Sequence, residues 1–379
     1  MNNTNRILEF EGLRGLLSWW VVANHLLLAC GWNADNLPPV LRLIARGDYA
    51  VDVFIILSGF VIFKLIHDAQ EPYFVFLTRR FFRLYPVFLT CLVLAVALRP
   101  LAWSNLQHWH ENPVASLGLQ NWLDDGAQLW RHIAAHLTLL HGAVPEPLLK
   151  KSATALLPPA WSISLEWQFY LVAPALACFL ARTRCAGLLS FGVTLICAVF
   201  ALHDPLMRWF PMQSFLLQKI LYFWIGILSF QIWQTMAMCD DGLPDIFLAG
   251  ITPLILFFTL SIPLALWSVV FTAALSREGG LGEKLMRPLR LPFMQTLGRI
   301  SYSTYLSHVC CIWAAQWIIF KITPGVTRIT MLFVLAPTAA CLIFFVSWWM
   351  HELIEVPGMR LGRLISTRFQ PIRGREEKS

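Results

Sequence analysis

The sequence predicts an all-α integral membrane protein with about ten transmembrane helices and both termini cytoplasmic, on the strength of three observations. Of 379 residues, 57% are hydrophobic and only 13% charged, where a soluble globular chain carries about 25% charged residues. Apolar runs recur from end to end, each near the ~20 residues that a helix needs to cross a bilayer. Lys and Arg are shared unevenly between the connecting segments. With the N-terminus inside, nineteen of the 29 fall on the cytoplasmic face, the bias that sets orientation in membranes.

Taken in order, the first span is expected near 12–30 and carries Arg14 and His25. No small-residue cleavage site follows it, so it reads as a retained signal anchor. A second span is expected near 49–66. The third, near 84–102, follows a basic segment with Arg79, Arg80 and Arg83, read as a short helix ahead of the span. Residues 103–160 then form one long outer loop whose Trp103, Trp109, Trp122 and Trp130 suit the membrane interface. Further spans are expected near 163–181, 186–202, 215–233, 244–259, 260–276, 301–321 and 330–350. The pair 244–259 and 260–276 is short and divided only around Ser261 to Pro263. A basic cytoplasmic tail occupies about 352–379, and residues 1–379 read as a single membrane domain.

Several functions are excluded by the same pattern. The net charge of +7 is spread between apolar runs instead of forming a basic face, so no nucleic-acid partner is expected. Nine cysteines, never spaced Cys-x-x-Cys, provide neither a disulfide framework nor a zinc site. His132 and His136 are four apart, as two metal ligands on one helical face would be. No acidic residue or cysteine completes the set, so no metal is expected and the two read as solvated histidines of an interfacial helix. Gly279, Gly280 and Gly282 lack the spacing of a phosphate-binding loop and read as a flexible turn.

Ionisable groups inside apolar helices are costly, and their default reading is functional. Arg14 and His25 lie eleven residues apart, which at ~100° per residue is three turns plus ~20°, so both share one stripe of the first helix about 16 Å apart. Glu166 and Asp52 each fall about three residues into their helices from the outer end, ~5 Å deep, within a turn of His25. An imidazole beside a carboxylate is what general-base catalysis uses. Arg80 and Arg83, three apart on one face, suit a diphosphate, because each guanidinium offers a planar fork of donors. Ser301, Tyr305 and His308 recur at i, i+4 and i+7, giving one polar face suited to hydrogen bonding between helices.

At these residues the sequence resembles the acyltransferase 3 family of membrane O-acyltransferases, which act on bacterial surface glycans and some antibiotics. The resemblance runs through Leu13-Arg-Gly15 with His25, Val51 to Phe60, Arg79 to Pro86, Trp161-Ser-Ile-Ser-Leu-Glu166, Gly298 to His308, and Ile354-Glu355 with Pro357. It implies a ten-helix core in the inner membrane and acyl-CoA, chiefly acetyl-CoA, as the cytoplasmic co-substrate. It also implies a glycan or lipid-linked saccharide whose hydroxyl accepts the acyl group. By resemblance, His25 is the essential base, and Arg14 with Arg80 and Arg83 handles the donor, joined here by Tyr305. Glu166 belongs to the catalytic region, with Asp52 as the other carboxylate in its layer. Trp161 and Ser58 are the substrate-binding candidates; Ser58 and Ser301 are the candidate nucleophiles for a covalent route, for which the sequence has no triad spacing. Trp167 stands where relatives often carry a second acidic residue. The competing expectation is a proton-coupled transporter, against which no inverted repeat or matched pair of broken helices is visible. Membrane lipid is an expected partner; oligomeric state has no signature in the sequence.

Overall fold

The computed structural model describes residues 7–32, 34–109, 113–182, 185–237, 261–275 and 280–369, whose regular structure is helical throughout. The α-helices are α1 (Leu8–Ala29), α2 (Pro39–Ile44), α3 (Gly47–Ala69), α4 (Tyr73–Ala97), α5 (Arg99–His108), α6 (Pro113–Ala127), α7 (Leu129–Leu137) and α8 (Trp161–Ala181) in the first half. The second half contains α9 (Cys185–Ala201), α10 (His203–Trp209), α11 (Leu216–Ala237), α12 (Ile262–Ala274), α13 (Leu281–Met286), α14 (Pro292–Ile322), α15 (Arg328–Met350) and α16 (Val356–Ser366).

Among the described residues, six helical segments are long and apolar enough to cross a membrane: Gly47–Ala69, Tyr73–Ala97, Pro158–Ala181, Leu216–Thr235, Pro292–Ile322 and Arg328–Phe369. The pair Ser190–Ala201 and His203–Trp209, bent by 59°, makes a seventh if it is one span. α12 is apolar but has only 13 residues. α1 has the length, 22 residues, but Glu9, Glu11, Arg14 and His25 dilute its apolar character. The expected span 244–259, Gly279 and the tail beyond 369 lie outside the described residues.

Two expected boundaries move. α4 starts at Tyr73, so Arg79, Arg80 and Arg83 stand on the spanning helix itself and not on a separate short helix. The interleaved Val75, Phe76, Phe81 and Phe82 supply enough apolar surface to carry the helix through the arginines. α14 is 31 residues long and begins at Pro292, well before the expected 301.

Two tight seams position the polar groups. α1 packs on α14, and α3 packs on α11. A Cβ on Gly298 would lie 2.1 Å from the Glu11 carbonyl oxygen, and one on Gly226 would lie 2.0 Å from that of Ile56. Only glycine permits such backbone approach, the usual device where helices associate in lipid. Gly298→Ala must push α1 off α14 and is expected to cost about 1–3 kcal/mol, as overpacking does. A lower unfolding midpoint and folded yield in detergent would register this; a variant as stable as the parent would contradict the seam.

The segment between α4 and α8 is helical and anchored. Arg99 Nη2 donates to the Trp122 carbonyl at 3.0 Å, and Asn105 Nδ2 reaches the Trp313 carbonyl of α14 at 2.9 Å. Here the expectation of solvated histidines fails. His132, His136 and His141 are 1%, 0% and 0% exposed, because α7 turns the first two inward and the 3-10 turn His141–Ala143 packs the third against the start of α8. His136 stacks on His141 with centroids 4.0 Å apart, and its Nδ1–H donates to the His132 carbonyl at 2.8 Å. His141 Nε2–H donates to the Ala160 carbonyl at 3.1 Å.

Burial pushes the His136 imidazole down from 6.5 to about 4, outweighing its backbone hydrogen bond, and holds His141 well below its ordinary value. An unfolded chain protonates His136 near 6.5 while the folded one resists until about 4. The neutral His136 ring's contribution is therefore complete above pH 6.5 and is lost, at about 1.4 kcal/mol per unit, as pH falls towards 4, and His141 acts in the same direction. The unfolding midpoint in detergent is expected to fall across that window, and His136→Phe, which keeps the stack, should reduce the slope. An identical acid slope in the variant would contradict the assignment.

Candidate active site

α1 and α14 bring two imidazoles together. The His25 Nδ1 lies 3.0 Å from the Val21 carbonyl oxygen of its own helix. His308, 0% exposed, places its Nδ1 3.2 Å from the Thr304 carbonyl oxygen and its Nε2 3.2 Å from His25 Nδ1. The rings meet edge to face, 4.8 Å between centroids. Arg14, on the same stripe of α1, is half-buried and makes no hydrogen bond or ion pair with the described residues.

A second polar set lies among α3, α4, α8, α14 and the chain entering α16. Glu166 of α8 accepts from Ser58 Oγ at 3.4 Å and from the Tyr170 hydroxyl. Arg80 stands in the electrostatic field of Glu166 and Tyr170, and its buried Nε donates to none of the described residues. Arg83 is 3.7 Å from Glu355, whose side chain is 1% exposed and also accepts from Ser303 Oγ and His351 Nδ1–H, each at 3.0 Å. Glu355 ends a π-helical turn, His351–Glu355, a distortion frequent at functional sites. Arg79 is turned away, paired with Glu71 and donating to Ser366 Oγ.

Tyr305 lies between the two sets. Its ring is 6.1 Å from that of His308, its hydroxyl donates to the Pro159 carbonyl at 3.0 Å, and Ser162 Oγ is 2.7 Å away. Trp161, opening α8, is 8% exposed and packed in the core.

The sequence-derived candidates thus divide. Ser58 and Glu166 are joined, and Arg80 lies near them. Glu166 and His25 are not hydrogen-bonded: Glu166 Oε1 accepts from Ser58 and Tyr170, while His25 meets Val21 and His308. Asp52 is not beside His25 either: it forms an ion pair with Lys219 of α11, 2.7 Å, both side chains nearly buried. Depth counting assigned both carboxylates to the layer of His25 but could not say which way each faced. The pairings with His308 and Lys219 and the anchoring of Arg83 by Glu355 were missed. The i, i+4, i+7 stripe ending at His308, together with the glycines that seat α14 on α1, was the signal available.

Residues 7–352 match the family model described as an acyltransferase domain. The chain is 28% identical over 371 residues to a Komagataeibacter xylinus protein named "Putative membrane-bound transacylase BcsY", covering 94% of this chain and 83% of that one. It is also 28% identical over 171 residues to "Acyltransferase MdmB" of Streptomyces mycarofaciens, 45% of this chain and 38% of that one. No solved structure gives a significant match.

Proposed function

The chain belongs to the acyltransferase 3 family, and from that premise we propose that it transfers an acetyl group from cytoplasmic acetyl-CoA to a hydroxyl of an extracytoplasmic or lipid-linked glycan. The proposal includes a place in the inner membrane with ten spans and both termini cytoplasmic, an orientation supported by the Lys and Arg distribution.

The observation that carries the chemistry is the imidazole pair between α1 and α14. A base held within a membrane helix bundle can take the proton of an acceptor hydroxyl as that oxygen attacks the thioester carbonyl. The C–O bond forms, the C–S bond breaks, and the coenzyme leaves as a thiolate that takes the proton back from the imidazolium. Arg80 suits the donor's phosphates because its buried Nε has no acceptor among the described residues. Arg83 reaches the same region but is shared with Glu355. Arg14, without a hydrogen bond or ion pair among the described residues, stands on the stripe of α1 that carries His25.

The experiment is release of coenzyme A from acetyl-CoA by purified protein in detergent, with and without membrane glycan extract. Arg80→Ala should weaken acetyl-CoA binding by about 10–100-fold, the loss of one charge-assisted hydrogen bond worth ~1.5–3 kcal/mol, while the rate at saturating donor changes little. An unchanged dissociation constant, read by titration calorimetry, would contradict the assignment of Arg80 to the donor.

A further inference from the structure

We propose that His308 is the positioning residue that fixes the tautomer of His25, so that His25 presents a bare Nε2 to the acceptor hydroxyl. The inference rests on the reading of His25 as the base and goes beyond it by assigning how that base is prepared.

The proton positions follow from what each neighbour can do. A backbone carbonyl oxygen only accepts, so His25 Nδ1, 3.0 Å from the Val21 oxygen, must carry hydrogen for that contact to attract. The same holds for His308 Nδ1, 3.2 Å from the Thr304 oxygen. In a neutral His308 the other nitrogen, Nε2, then holds a lone pair, and it is this atom that faces His25 Nδ1 at 3.2 Å. One arrangement satisfies all three contacts: both rings are neutral Nδ1–H tautomers, and the His25 proton is shared between the Val21 oxygen and His308 Nε2. Reversing the cross-helix bond would leave a lone pair of His25 Nδ1 against the Val21 oxygen. His25 Nε2 is left as the lone-pair nitrogen, with no hydrogen-bond partner among the described residues.

His308 therefore occupies the place that a carboxylate takes in a Ser-His-Asp site, but as a neutral acceptor. No carboxylate hydrogen-bonds to either ring among the described residues. When His25 Nε2 takes the hydroxyl proton, its Nδ1–H bond to His308 strengthens, yet the positive charge gains less than it would beside an anion. The imidazolium is short-lived and returns its proton promptly to the departing thiolate. Because each ring is tied to a carbonyl of its own helix, the alignment depends on the α1–α14 seam.

The test uses full-length protein in detergent, with acetyl-CoA as donor and water as surrogate acceptor, and rates normalised to folded protein. His308→Phe is expected to lower kcat by about 10²–10³-fold, with the acetyl-CoA dissociation constant unchanged. His308→Gln, whose side-chain oxygen can accept from His25 Nδ1–H, should recover at least tenfold of that loss. Ring-15N histidine NMR of the unmutated protein should show His25 protonated at Nδ1. A parental kcat in His308→Phe, equal losses in Phe and Gln variants, or a His25 signal protonated at Nε2 would each overturn the proposal. A His25→Ala variant that keeps parental turnover would instead remove the underlying reading of His25 as the base, so the two failures are distinguishable.

Discussion

His25→Ala is expected to lower turnover by at least about 10³-fold, within the range that a positioned general base contributes, while acetyl-CoA binding and folded yield stay close to parental. The separation follows from where the ring sits. His25 packs against α14 near one end of α1, whereas Arg80, Arg83, Glu166 and Glu355 form their own charged cluster around α4. Removing the imidazole leaves those groups and their mutual neutralisation in place. Its own contacts are one bond to a carbonyl already used by its helix and one to His308, worth about 1 kcal/mol each. Donor affinity measured by calorimetry and turnover measured by thiol release should therefore part company. Equal losses in both would mean that His25 holds the donor or the fold instead of moving a proton.

Lys219→Met is the second large effect, and it falls on folding. The Lys219–Asp52 pair is 2.7 Å long and nearly buried, bridging α3 and α11 beside the contact of Gly226 with Ile56. Removing one partner of a buried pair strands the other charge and typically costs 3–5 kcal/mol. A sharp fall in folded yield is expected. The double variant Lys219→Met with Asp52→Leu removes both charges and should regain most of the yield, since apolar replacements of buried pairs are often neutral or stabilising. It should also regain turnover, because Asp52 is engaged by Lys219 and not by His25. A double variant that folds but does not turn over would return Asp52 to the chemistry.

The membrane class and the polar stripe of α1 were legible because both depend on one helix at a time. Composition, run length and the eleven-residue spacing of Arg14 and His25 need no knowledge of neighbours. Partnerships between helices were not legible. Counting residues from a helix end gives depth, at a fixed rise per residue, but gives no rotation relative to the next helix. Glu166 and Asp52 were matched to His25 by depth alone, and their carboxylates instead face Tyr170 and Lys219. His308 was visible as the end of a polar face; only the docking of α14 on α1 through Gly298 shows what that face meets. The buried stack of His136 on His141 was hidden for a different reason. The two residues belong to different short elements, and periodicity within one helix cannot reveal a contact between them. The π-helical turn ending at Glu355 likewise breaks the 3.6-residue rule on which helical faces are counted.

Whether an acyl group crosses while its carrier does not can be read in inverted membrane vesicles containing the protein. Acetyl-CoA labelled with 14C in the acetyl group and 32P in the coenzyme would be added to the outward-facing cytoplasmic side. 14C is expected on lumenal glycan with all 32P remaining outside, and neither label inside when the protein carries His25→Ala. Entry of both labels together, or no lumenal 14C from folded protein supplied with native glycan, would contradict crossing of the acyl group without its carrier.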